Sequence, residues 1–200
     1  MNNTLAAQSA EFLAFLEEWM AGLTELSAAD VFGRPERAAI VSVDVIKGFC
    51  NFGPLASPRV GRIAAPIAGL LMNAWAAGVR NIILTQDTHE PDAVEFAQWP
   101  AHCVRGSEEA QPVDELTALP FFDQILQIPK NSIHSGLNTG LSDWLNRHPE
   151  VDTFVVVGDC TDLCTYQLAM HLRLDANARQ LTRRVVTPVD CVDTYDRTVA

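Results

Sequence analysis

Thr153-Phe-Val-Val-Val-Gly158-Asp-Cys-Thr-Asp-Leu-Cys164 runs from an unbroken apolar stretch through a glycine and polar turn residues into a helical pattern. Consecutive apolar positions rich in valine fit a strand covered on both faces. Gly158 fits a tight turn. Leu163, Tyr166, Met170 and Leu174 then recur at helical spacing, with Thr161 as the expected N-cap. A covered strand that turns straight into a helix is the repeating unit of a parallel α/β sheet.

The same unit recurs outward from this stretch. Short apolar runs stand at Ala38 to Val45, Asn81 to Gln86, Gln124 to Ile128 and Arg184 to Val189. Between them Val60, Ile63, Ile67, Leu70, Leu71 and Trp75 keep a period near 3.6, with Gly78 where a helix C-cap belongs. Leu141, Trp144 and Leu145 mark a shorter helix that ends near Pro149. This rhythm predicts a three-layer α/β/α domain around a parallel, Rossmann-like sheet of five or six strands. Ligands bind such sheets at the carboxyl ends of the strands, where Asp44, Asp87, Lys130 and the turn after Gly158 fall.

Residues 1–37 stand apart from that rhythm, and the domain proper is expected over 38–200. Phe12, Phe15, Leu16, Trp19, Met20 and Leu23 form the apolar stripe of an amphipathic helix. It is expected to pack on the domain's flank, with a subunit contact as the other use. Its acidic polar face argues against a membrane-surface role.

Composition narrows the field. With 200 residues, 48% of them apolar, the chain can bury a full core as one domain. A net charge of −11 without a basic stretch argues against a nucleic-acid partner. No apolar run approaches membrane-spanning length, and the beginning of the chain lacks a signal-peptide pattern. Five cysteines without framework spacing fit a reduced, cytoplasmic protein.

Two segments carry chemistry. Asp87-Thr-His89-Glu-Pro-Asp-Ala-Val-Glu95-Phe-Ala-Gln-Trp99-Pro-Ala-His102 directly follows an apolar strand. Asp87 and His89 point the same way if they sit at a strand end. The loop broken by Pro91 and Pro100 can bring Glu95 and His102 to the same point. Two imidazoles and two carboxylates suit one divalent ion, zinc first, with iron or manganese as alternatives. The second segment puts Cys164 in the first turn of a helix, where free amides and the dipole favour a thiolate and offer an oxyanion hole. Asp44, ending the strand Ile40-Val-Ser-Val-Asp44, is a candidate general base whose pKa burial would raise. Lys130, ending another strand, could hold both anions. Cys50, Cys103 and Cys191 read as small core residues and Cys160 as a turn residue.

These residues carry a resemblance. Asp44 with Phe49, Lys130, and Gly158-Asp-Cys-Thr-Asp-Leu-Cys164 resemble the Asp–Lys–Cys motifs of the isochorismatase-like cysteine hydrolases. The Asp-x-His…Glu…Trp-Pro-x-His-Cys segment is similar to the metal site of the nicotinamidase branch, in the variant with a glutamate where others place a third histidine. The resemblance covers roughly Ala38 to Asp193. It implies that Cys164 attacks a carboxamide, Asp44 moves the proton and Lys130 holds both. It also implies that the amides of Cys160 and Cys164 bind the oxyanion, with a cis peptide before Cys160. Asp87, His89, Glu95 and His102 would hold an ion facing a pyridine nitrogen, with Phe49 and Trp99 against the ring. The implied substrate is a small amide, nicotinamide, and the implied role is in pyridine nucleotide salvage, as a possible homo-oligomer.

Two departures stand out. Family members usually continue past Asp190–Asp193 with a helix and a last strand, whereas this chain reads only to Ala200. The aromatic position after the lysine motif reads Ser135-Gly136-Leu137. Three other readings stay open on sequence alone. One is a metal-independent amidohydrolase of the same superfamily acting on a ureido or carbamoyl substrate. Another is a zinc hydrolase using metal-bound water. The third is a binding protein that keeps only the fold.

Overall fold

A computed structural model of the chain describes residues 4–196. The central strand, β1 (Ala38–Val43), is buried at every position. Its neighbours are β2 (Asn81–Asp87) and β4 (Thr153–Asp159), both parallel to it, with Val41 level with Ile83 on one side and Val156 on the other. β3 (Leu126–Lys130) pairs parallel with β2 and β5 (Arg184–Val186) with β4, giving the order β3-β2-β1-β4-β5. Pro129 is tolerated because β3 is an edge strand, where a missing N–H costs no ladder bond.

The expected run Arg184 to Val189 breaks early. Pro188 cannot extend a ladder, Cys191 turns back on the Pro188 carbonyl, and β6 (Val192–Asp193) then pairs with the end of β4. β5 and β6 thus lie end to end along one edge of β4, so six strands occupy five positions across the sheet.

Alternate residues of the strands feed two cores. Ile40, Ile82, Leu84, Val155 and Val157 face α5 (Ala64–Ala76), which presents Ile67, Leu71 and Ala74. Val41, Val43, Ile83 and Val156 face α7 (Leu141–Arg147) and α8 (Cys164–Ala178), which present Trp144, Leu145, Leu168 and Leu172. The single helical pattern from Val60 to Trp75 is two helices, α4 (Pro58–Gly61) and α5. Pro66 explains the interruption, because it has no N–H to donate to the Arg62 carbonyl one turn earlier and its ring crowds that oxygen. Gly78, at φ +102°, caps α5 as expected.

Short helices α3 (Lys47–Cys50) and α6 (Asp114–Thr117) complete the covering layer. At the front of the chain, α2 (Ala28–Phe32) is anchored by a Ser27–Asp30 capping box and buried Phe32. α1 (Leu5–Ala21) does not pack on the flank as expected: Phe12, Phe15 and Trp19 are 56–58% exposed. No helix among the described residues is long and apolar enough to cross a membrane.

Candidate active site

Four strands end at one place and each contributes a functional group. Asp44 follows β1 at φ +57°, its amide bonded to the Thr85 carbonyl at 2.9 Å. Its Oδ1 accepts from the Asp87 amide at 2.8 Å, so the ends of β1 and β2 are tied through a carboxylate. Lys130, the last residue of β3, is 1% exposed. Its Nζ meets Asp44 Oδ2 at 2.8 Å and Asp87 Oδ1 at 2.6 Å, donates to the Ser132 carbonyl at 3.1 Å, and lies 3.8 Å from Cys164 Sγ. β4 can approach β1 at this end only because residue 158 is glycine. It sits at φ +109°, and a Cβ there would fall 2.0 Å from the Val43 oxygen. The Asp159–Cys160 peptide that follows is cis, at the bond where the family resemblance implies one.

Electrostatics divide the proton work. Burial, helped by the neighbouring Asp87 charge and opposed by Lys130, raises the Asp44 carboxyl to about 6. Burial works against Lys130, but Asp44, Asp87 and Cys164 outweigh it, and the ammonium is held well above its ordinary value. Burial also pushes the Cys164 thiol well up, with Lys130 pulling the other way. That corrects the expectation of a resting thiolate. Position at the head of α8 favours the anion, but a nearly enclosed sulfur loses more hydration than the helix end returns. The expected N-cap is also displaced: Leu163 precedes the first turn, and the Thr161 amide bonds the Asp193 carbonyl at 3.0 Å. Among the described residues, the amides of Cys160 and Cys164 donate to no backbone carbonyl.

Beside this cluster, Asp87, His89 and His102 bring their ligand atoms within 4.8 Å of one another, all three buried. His89 Nε2 lies 3.6 Å from Asp87 Oδ1, and His102 Nε2 lies 4.0 Å from Asp87 Oδ2. His102 Nδ1 meets the Pro100 carbonyl at 2.8 Å and His89 Nδ1 meets Asn131 Oδ1 at 2.9 Å. A carbonyl only accepts, so in the neutral rings the hydrogen sits on Nδ1 and both Nε2 lone pairs face Asp87. His89 Nε2 is fully enclosed with no hydrogen-bond partner. An orphaned, buried acceptor of this kind fits a cation. Glu95, on the 3-10 turn Val94–Ala97, lines the adjoining cavity without joining that trio.

The cavity, about 290 Å³, connects the two clusters. Phe49 and Trp99 line it, together with Glu95, His102 and Cys164. Three contributors escaped the sequence reading. Phe96 sets its ring edge-on to His89 and His102 at centroid distances of 5.5 and 5.7 Å. Asn131 orients His89, and its place next to Lys130 at a strand end was the available signal. Asp159 also lines the cavity; burial, and then the Asp44 charge, hold its carboxyl well above the usual carboxylate range.

Residues 38–198 match the isochorismatase domain family. The chain is 30% identical over 175 residues to the nicotinamidase/pyrazinamidase of Mycobacterium tuberculosis, covering 81% of this chain and 90% of that one. It is 27% identical over 186 residues to nicotinamidase 1 of Arabidopsis thaliana, covering 84% and 70%. Among solved structures it resembles N-carbamoylsarcosine amidase from Thermoplasma acidophilum, with a TM-score of 0.67 at 24% identity over 82% of this chain and 86% of that one. That last likeness speaks for the fold alone.

Proposed function

This chain belongs to the isochorismatase family, on its nicotinamidase branch, and from that premise we propose that it hydrolyses nicotinamide to nicotinic acid and ammonia. The observation that carries the proposal is the meeting of two clusters at one cavity: Asp44, Lys130 and Cys164 on one side, Asp87, His89 and His102 on the other.

Cys164 Sγ attacks the carboxamide carbon as Asp44 takes the thiol proton. The carbonyl oxygen becomes an oxyanion between the amides of Cys160 and Cys164, which are free of backbone partners. Asp44 then returns the proton to the nitrogen, the C–N bond breaks and ammonia leaves a thioester. Water, deprotonated by the same carboxylate, attacks the thioester, and collapse releases nicotinic acid and restores the thiol. Lys130 stays charged throughout and fixes Asp44 next to the sulfur. Phe49 and Trp99 supply apolar faces for a flat ring.

A divalent ion on Asp87, His89 and His102, with Glu95 nearby, would supply a Lewis-acidic point for the ring nitrogen, and the nitrogen-rich donor set favours zinc over manganese. Asn131 and the Pro100 carbonyl orient the two imidazoles for it. Five unpaired cysteines support a reducing, cytoplasmic setting.

Ammonia release from nicotinamide and from benzamide tests the reading. The two have the same shape, but benzamide lacks the ring nitrogen and should have a far lower kcat/KM. Equal values, unchanged by a chelator, would move the assignment to a metal-independent amidohydrolase of the same family.

A further inference from the structure

The stripe on α1 is an apolar surface without a cover. Phe12, Phe15, Trp19, Met20 and Leu23 point into solvent, each between 44 and 61% exposed. An exposed patch of three aromatic rings and two aliphatic side chains marks an interaction surface on a soluble chain. A second apolar stripe lies on α8, where Tyr166, Met170 and Leu174 recur every four residues on the outward face and are 37–54% exposed. Leu137 extends this patch, because the His134–His171 ring contact at 4.8 Å holds its loop against α8.

Charge selects the pairing. The first basic residue of the chain is Arg34, and α1 carries Glu11, Glu17 and Glu18. Two α1 helices laid together would set glutamates against glutamates with no basic partner. The outward face of α8 instead carries Arg173, which bonds only the Arg183 carbonyl among its described contacts, with His171 half-buried beside it. The one carboxylate there, Asp175, is already paired with Arg179 and Arg183.

We infer that the α1 stripe docks on the Tyr166–Met170–Leu174 face of α8 in a second copy of this chain, the two copies exchanging helices about a two-fold axis. Such an isologous exchange uses both stripes twice. With a little over half of each ring's roughly 150–250 Å² still open to be covered, three rings on each of two helices plus the two covered α8 faces reach the ~1,200 Å² of a stable interface.

Sedimentation equilibrium of the full chain should give twice the chain mass. Trp19→Glu on the donating face and Leu174→Glu on the receiving face should each weaken the dimer by about 30-fold or more. Far-UV circular dichroism checks that the variants remain folded. Arg173→Glu should weaken the dimer, and the triple variant with Glu17→Arg and Glu18→Arg should recover it. A photo-crosslinker at Phe15, in an equal mixture of ¹⁵N-labelled and unlabelled chains, should give mixed-isotope links to α8. A monomeric wild-type chain, links confined to one chain, or a dimer indifferent to both glutamate variants would overturn the assignment.

Discussion

At the amino ends of β1 and β4, Asp152 meets Arg37 at 2.6 Å and Arg34 at 3.5 Å, and the arginines stand in water. At the carboxyl ends of the same sheet, Lys130 meets Asp44 at 2.8 Å and Asp87 at 2.6 Å, with no solvent contact at the lysine. The distances are alike and the energetics are opposite. Water can replace either partner of an exposed pair, so such a pair contributes little. A buried ammonium between two carboxylates has lost its hydration, and each group depends on the others remaining. A fold that wanted only stability could fill that space with apolar side chains. On the proposed mechanism, the carboxyl ends hold charge because the chemistry of Cys164 requires it.

Removing a partner at each end should separate the two cases most clearly. Lys130→Met leaves Asp44 and Asp87 facing each other in the interior. It should cost about 3–5 kcal/mol of stability, read as a lowered denaturant midpoint, and should abolish turnover. Cys164→Ala should leave stability nearly unchanged while lowering ammonia release on the order of 10⁴-fold or more. If Cys164→Ala retained activity, the buried charges would have lost their reason.

The next test works within the carboxyl end. His89→Ala should lose bound metal and turnover together. Asn131→Ala, which touches the imidazole and neither the thiol nor its base, should weaken metal affinity by roughly 10–100-fold. Metal titration of the purified protein reads both. Equal affinity in wild type and Asn131→Ala would mean the His89 ring is held by its packing on Phe96 alone. Trp99→Ala should then raise the barrier for nicotinamide by only ~0.5–1.5 kcal/mol, measured as kcat/KM.

The two ends also differ in how much of them the sequence discloses. Asp44, Asp87, Lys130 and Cys164 each follow an apolar run, so the rule that ligands gather at strand ends finds them without coordinates. That the sheet is parallel follows from the same runs, though the order of its strands does not. What could not be read is what depends on pairs far apart in the chain. Enclosure by other strands pushes the Cys164 thiol up, which its place at a helix head does not reveal. Phe96 belongs to the site through its packing on two histidines, and nothing in its own neighbourhood says so. The break at Arg62–Ile63 was legible in Pro66, since the ring forbids the preceding turn, yet the apolar period runs straight through it. The stripe of α1 was evident, but amphipathic pattern gives a face and not the surface that covers it.

The smallest effect belongs to the amino end, and its pH dependence has a definite sign. Partial burial works to raise the Asp152 carboxyl, but Arg37 with Thr153, then Arg34, outweigh it and hold it below its ordinary value. A depressed carboxylate contributes stability that is fully present above its unfolded pKa of ~3.9 and disappears as pH falls through the folded value. Arg37→Ala should therefore lower stability by no more than about 1 kcal/mol at pH 7. The gap between wild type and variant should hold down to about pH 5, close as the solution is taken below pH 4, and shrink at 1 M salt. Urea midpoints at a series of pH values read it directly. A gap that persisted unchanged at pH 2 would mean that Arg37 acts through the packing of its stem, and that the amino end resembles the buried cluster more than its exposure suggests.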